Sequence, residues 1–333
     1  MGTATAERTA AREGAGGRTL RSPGAAWCAG LLLAGVSAVV GFRAADSDGV
    51  TPVPQLLAFL PWLLAPTGLA LLFAFLARWR VGLVWGVLAL GAIAWFIEPY
   101  GRISAPTGAP LAELRVMTSD VRLGRGADAL VHVIRRERPD IVFVQECDDG
   151  CLSALEDAFG ERDLPYRRAA EAGGPKGSVI LSRYPLRAAA GVPGTLGMPG
   201  AVADVNGHAV RLQLAHPVPP LPGRLGAWRG ELGALRDYAA ASDEPTVLAG
   251  DFNASQDHAA FRRVLDAGLN DGARLAGQAR APSWPARTAP ALGAQIDHVL
   301  VSRDFSANRA SFVRIAGSGH RALIVDVTLH RRG

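Results

Sequence analysis

Lysine is nearly missing from this chain: Lys176 is the single example among 35 basic residues in 333. So lopsided a preference for arginine reflects a GC-rich genome rather than selection for guanidinium groups. A clustered basic face with interleaved aromatics is missing too. From Leu111 onward, 27 Arg plus Lys stand against 25 Asp plus Glu, mixed along the chain. Tight nucleic-acid binding draws on clustered cations and stacking rings, so the net charge of +5 does not point to it. The cysteines number three, and Cys147 and Cys151 lack the further ligands that a zinc site requires. No convincing internal repeat is present.

Charge is absent from three long stretches, Ala25 to Phe42, Val53 to Ala77 and Val81 to Ile97. They predict three transmembrane helices, at about 25–42, 53–77 and 81–97, within a membrane region 25–98. At about 1.5 Å per residue the third run reaches roughly 26 Å, workable with little tilt. Trp62, Trp85 and Trp95 lie inside the runs, so no aromatic belt marks their ends. Residues 1–24 read as a disordered basic tail containing Arg8, Arg12, Arg18 and Arg21. The loop after the first run has Arg43 against Asp46 and Asp48, and the next turn holds Arg78 and Arg80. Positive residues stay in the cytoplasm, which predicts a multi-pass cell-membrane protein with a cytoplasmic N-terminus and everything after Ile97 outside. A cleaved signal peptide competes for the first run, with small Ala44 and Ala45 in its favour and Arg43 against it. The C-terminal domain lies outside in either case. Residues 99–112, rich in Pro and Gly, predict a short tether that keeps a domain at 113–331 near the bilayer.

In that domain apolar strands alternate with amphipathic helices. Strands are expected at Leu114 to Val121, Ile141 to Gln145, Ser178 to Ser182, Ala209 to His216, Thr246 to Gly250, Ile296 to Val301 and Ala322 to Val327, with helices near 127–137 and 227–241. Several of these runs end in groups that can do chemistry. Glu146 follows one strand as a hard oxygen donor suited to Mg²⁺. Asp251 and Asn253 are two apart on extended chain, so both side chains point to one side, though an Asx turn would use them equally well. Asp297 and His320 complete the set.

The ordered pieces Arg-Val-Met-Thr-Ser-Asp120, Pro-Asp-Ile-Val-Phe-Val-Gln-Glu146, Leu-Ser-Arg-Tyr-Pro185, Leu-Ala-His216, Gly-Asp-Phe-Asn253, Ile-Asp297-His and Gly-His320 resemble the endonuclease/exonuclease/phosphatase superfamily from Leu114 to Leu329. The resemblance implies an α/β (α+β) four-layer αββα sandwich with a divalent-metal site between the sheet edges. It also implies Glu146 as metal ligand, Asp251 and Asn253 as residues that orient or deprotonate the nucleophile, His216 as a phosphate contact and Asp297 with His320 as a carboxylate–imidazole pair. Mg²⁺ is the expected cofactor, with Mn²⁺ as the alternative. Where the family usually has Asn, this chain has Asp120, and where it usually has Asp-His, it has Gly319-His320. One carboxylate is gained and one lost, so Asp120 is expected to replace the missing ligand in part; the alternative is that the two changes mark an altered metal number or weakened catalysis. His132, His208, His258 and His330 belong to no motif and are expected to be structural or solvated.

The membrane runs followed by this domain resemble the VanJ-type actinomycete proteins. That resemblance implies an outward-facing, metal-dependent hydrolase of a lipid-linked pyrophosphate such as undecaprenyl pyrophosphate, with a role in resistance to teicoplanin-type glycopeptide antibiotics. Its expected partners are phosphorylated lipid at the outer leaflet and membrane lipids. Two other readings are an extracellular nuclease or phosphodiesterase, and a silent module that binds an envelope ligand. Cys147 and Cys151 bracket Asp148-Asp149-Gly150, and either a small disulfide ring beside Glu146 or two thiols fits.

Overall fold

The computed structural model describes residues 23–332 apart from 102, 104, 105 and 161, so most of the expected basic tail lies outside the described residues. Helices α1 (Pro23–Ala44) and α4 (Arg80–Ile97) are long and apolar enough to cross a membrane. The expected span at 53–77 is not one helix. It divides into α2 (Val53–Ala58), a 3-10 turn (Leu60–Leu63) and α3 (Leu64–Leu76). Prolines are the cause: Pro54, Pro61 and Pro66 lack amide hydrogens and fall in the first turns of these three segments. The helices pack tightly, for a Cβ at Gly86 would lie 2.5 Å from a methyl of Leu71, and Trp85 Nε1 donates to Ser37 Oγ at 2.9 Å. Their outer surface is apolar: Trp95 is 77% exposed, Trp27 73% and Val81 68%.

One end of the bundle is fastened to the rest of the chain. Asp48, 4% exposed, accepts the amides of Ala259 (2.6 Å) and Ala260 (3.1 Å), capping the helix α8 (Ala259–Asp266) from outside. Asp257 is buried between Arg280, at 2.6 and 2.8 Å, and Arg43, at 3.6 Å. Arg280 also donates to the carbonyls of Phe96 and Ile97, both at 2.7 Å, satisfying the C-terminal end of α4. His258, expected to be structural or solvated, is buried and bonds Pro54 O at 2.8 Å. Replacing Asp257 with Ala leaves Arg280 and Arg43 buried without their carboxylate. The expected outcome is a loss of about 3 kcal/mol in a denaturant or thermal melt.

The remaining elements form two six-stranded sheets. The first runs β11 (Phe305–Arg314), β12 (Arg321–His330), β1 (Pro110–Asp120), β2 (Ile141–Gln145), β4 (Ser178–Ser182), β3 (Tyr166–Ala170). The second runs β5 (Leu186–Ala189), β6 (Gly200–Val205), β7 (His208–Ala215), β8 (Thr246–Asp251), β10 (Asp297–Ser302), β9 (Leu269–Asp271). Strand β1 begins at Pro110, so the expected tether gives way to sheet before residue 112. The core between the sheets holds Val116, Phe143, Leu212, Val247, Val299 and Val325. Helices α5 (Ala127–Glu137) and α6 (Asp149–Phe159) cover the outer face of the first sheet through Leu130, Ile134, Leu155 and Phe159. Helices α7 (Leu225–Ala240) and α8 cover the second through Trp228, Leu232, Leu235 and Phe261. The result is the expected αββα layering. Pairing is parallel for β1/β2 and β7/β8, and antiparallel for β12/β1 and β10/β8. The C-terminal ends of β1, β2, β7 and β8 therefore meet the starts of β10 and β12 at one edge of the sandwich.

Candidate active site

That edge gathers all seven residues expected from sequence. Asp120 ends β1, Glu146 follows β2, His216 follows β7 and Asp251 ends β8. Asp297 opens β10 directly opposite Asp251, and His320 precedes β12. Local backbone fixes them. Gly250 is dictated by a close approach, since a Cβ there would stand 1.8 Å from Ala215 O. Glu146 and Asn253 hold φ of 53° and 48°, a region that L residues adopt only when their surroundings enforce it. For Glu146 the enforcement includes Leu123 N, which donates to Oε2 at 3.0 Å. Asn253 is clamped by its own amide on Asp251 Oδ1 (2.8 Å) and by its side chain on Pro217 O (3.0 Å). An Asx turn is thus present and also orients both groups.

Burial and crowding set the charges. Burial raises the Asp120 carboxyl to about 7, with Glu146 and Asp297 adding to the rise and His320 opposing it. Burial, then Asp297 and Asp120, likewise raises Asp251 well above the ordinary carboxylate range, against His320. Burial would neutralise His320, but the carboxylates of Asp297, Asp251 and Asp120 prevail and raise it to about 10. His320 Nδ1 lies 2.9 Å from Asp297 Oδ2, and Asp297 is itself positioned by Ser283 Oγ, which accepts the amides of Ile296 and Asp297. His216 is held neutral, near 3, by burial and by His320; among the described residues its Nδ1 has no hydrogen-bond partner.

The donor set fits a divalent cation. Ligand atoms of Asp120, Glu146 and His216 lie within 4.8 Å of one another, as do those of Asp120, Asp251 and His320, and Asp120 belongs to both groups. Hard carboxylate oxygens suit Mg²⁺ or Mn²⁺, and the crowding that raises Asp120 and Asp251 is the repulsion that a cation relieves. His216, expected as a phosphate contact, shares its place with these ligands.

An open cleft of about 460 Å³ is lined at one side by Asp120, Glu146 and His320. Its remaining lining is Arg122, Trp284 to Arg287, Ser318 and Gly319. Apart from Gly319, these were not found in the sequence: the loop between β9 and β10 has no periodicity, and only the fold brings it here. Gly319 has open space where a Cβ would be. Beside Glu146, Cys147 and Cys151 are disulfide-bonded, and Asp148 caps α6 by accepting Cys151 N at 2.9 Å. Of the two arrangements the sequence left open, the bridge is the one present.

The family model described as Endonuclease/Exonuclease/phosphatase family matches residues 117–319. No curated protein sequence matches the chain. Among solved structures, an endonuclease/exonuclease/phosphatase from Beutenbergia cavernae is 21% identical, covering 66% of this chain and 72% of its own, with a TM-score of 0.53. D. rerio TDP2 complexed with single strand DNA product is 15% identical, covering 65% and 99%, with a TM-score of 0.54. Truncated Caenorhabditis elegans TDP2 is 17% identical, covering 65% and 98%, at 0.52. At these identities the likeness is one of fold.

Proposed function

Because the chain belongs to the endonuclease/exonuclease/phosphatase family, whose members are typically metal-dependent phosphoesterases or nucleases, we propose a membrane-anchored phosphohydrolase whose substrate is a lipid-linked pyrophosphate. The observation that carries this reading is the contact between the apolar bundle and the wall of the catalytic cleft. Phe59, between α2 and the 3-10 turn, packs against Trp284, which lines the cleft, with ring centroids 6.0 Å apart and planes tilted by 56°. Trp62 Nε1 donates to Gly293 O at 3.2 Å in the same loop, and Leu292 beside it is 44% exposed. An apolar surface of the size seen on α1, α3 and α4 needs a cover, and a bilayer supplies it. The 3-10 turn and α3 together then serve as the middle of three crossings. Arg78 and Arg80 lie at the bundle end away from the domain and support a cytoplasmic N-terminus with the catalytic cleft outside. The resemblance to VanJ-type proteins leads to undecaprenyl pyrophosphate as substrate and to a role in glycopeptide resistance.

Asp120, Glu146 and His216 would hold Mg²⁺, which when bound neutralises phosphoryl oxygens and makes phosphorus more electrophilic. Water held by Asp251 and Asn253 attacks phosphorus in line. Its proton passes to the Asp251 carboxylate as the bridging P–O bond breaks. His320, kept protonated by Asp297, Asp251 and Asp120, donates to the phosphoryl oxygen on which charge gathers. The leaving phosphate departs with its electron pair.

The test is phosphate release by the full-length protein with Mg²⁺ from undecaprenyl pyrophosphate, run beside single-stranded DNA cleavage. Lipid turnover without DNA cleavage is the expected outcome. A second reading, an anchored nuclease, has the DNA-bound TDP2 structure of the same fold in its favour; DNA cleavage alone would establish it and reject the lipid substrate.

A further inference from the structure

The cleft is lined by the carboxylates of Asp120 and Glu146, by His320 and by two arginines. A divalent cation held by Asp120, Glu146 and His216, together with the His320 imidazolium, would serve one phosphoryl group. A second phosphate on the same substrate carries further negative charge that these leave uncompensated. Arg122 and Arg287 line this cleft from two different loops, and both are exposed. Among the described residues neither guanidinium has an ion-pair or hydrogen-bond partner.

Each arginine is placed by the reacting site itself. The amide of Arg122 donates to Asp120 Oδ1 at 2.8 Å, and the next amide, Leu123 N, donates to Glu146 Oε2. Arg122 and Leu123 both take positive φ, 48° and 56°, so this short turn is specified by the two carboxylates it binds. On the other side Ala286 N donates to Gly319 O at 2.7 Å, which sets Arg287 one residue from a tie to the neighbour of His320. Free guanidinium groups held one residue from such ties are suited to bind phosphate oxygens in a fixed position.

We propose that Arg122 and Arg287 form the subsite for the second phosphate of a diphosphate and so select diphosphates over monophosphates. The inference rests on the phosphohydrolase reading for its placement of the first phosphate. It is tested by titrating the full-length, Mg²⁺-loaded protein with methylenediphosphonate and with methylphosphonate, which carry the two charge patterns and resist hydrolysis. The wild-type protein is expected to bind the diphosphonate about 10- to 100-fold more tightly. The variant Arg122→Gln/Arg287→Gln is expected to reduce that preference to less than about threefold with an unchanged melting temperature. Equal binding of the two ligands by wild type, or a preference that survives in the double variant, overturns the subsite. Failure of the wild-type protein to release phosphate from any prenyl diphosphate, with the binding preference intact, would reject the hydrolase reading and leave the subsite standing.

Discussion

Replacing His320 with Ala should lower kcat for phosphate release by roughly 1000-fold or more while changing KM little. The magnitude follows from what the imidazolium does at this position. Its charge is maintained by three carboxylates, and its orientation is fixed by the 2.9 Å contact with Asp297. Phosphate approaching the floor of the cleft meets that charge where negative charge develops in the transition state, so the loss falls on kcat. Asp297→Asn keeps the shape but removes the main support of the charge, and roughly a 100-fold loss is expected. Steady-state kinetics of both variants, together with their thermal melts, check the point. A His320→Ala protein within tenfold of wild type would exclude His320 from the reaction.

His320 was legible in the sequence for a physical reason that extends to the other site residues. A buried strand is a run of apolar side chains, and a carboxylate or imidazole at its end marks the place where the chain leaves the core. Ile141 to Gln145 followed by Glu146, and Thr246 to Gly250 followed by Asp251, have that form, and their strands stand within a residue of where they were expected. Edge strands do not. β3 begins Tyr-Arg-Arg, all exposed, and β11 is buried only at Phe305 and otherwise half-buried or exposed, so neither has an apolar run to find. Helix α6 was hidden in an acidic turn, although Asp148 three residues before Cys151 is a capping signal. Hydropathy sees 53–77 as one run and is blind to Pro61 and Pro66, which divide it. Asp48 entered the sequence reading only as a charge in a loop. Its role as the external cap of α8, 211 residues away in sequence, depends on the tertiary fold alone.

The exchange of carboxylates between Asp120 and Gly319 yields the second large effect. Asp120 supplies an atom to both candidate metal groups, so Asp120→Asn should weaken Mg²⁺ binding by at least about 100-fold and activity in proportion at limiting metal. A folding defect would give the same loss, but the metal-free protein separates the two explanations. Folding raises the Asp120 carboxyl from its ordinary value to about 7, so its ionised form opposes folding above the unfolded pKa, and fully above about pH 7. Asparagine removes that penalty and can still accept Arg122 N. The metal-free variant should therefore melt at a higher temperature than wild type at pH 8, while the metal-dependent rise in melting temperature shrinks. Gly319 offers the complementary change. A Cβ there meets no atom within 4 Å, and the residue lines the cleft beside Asp120 and Glu146. Asp120→Asn/Gly319→Asp should accordingly recover Mg²⁺ affinity to within about tenfold of wild type. Normal Mg²⁺ binding by Asp120→Asn alone would remove Asp120 from the metal site. Weak binding in both the single and the double variant would show that the two positions are not interchangeable, and that the carboxylate must project from the end of β1 to reach the ion.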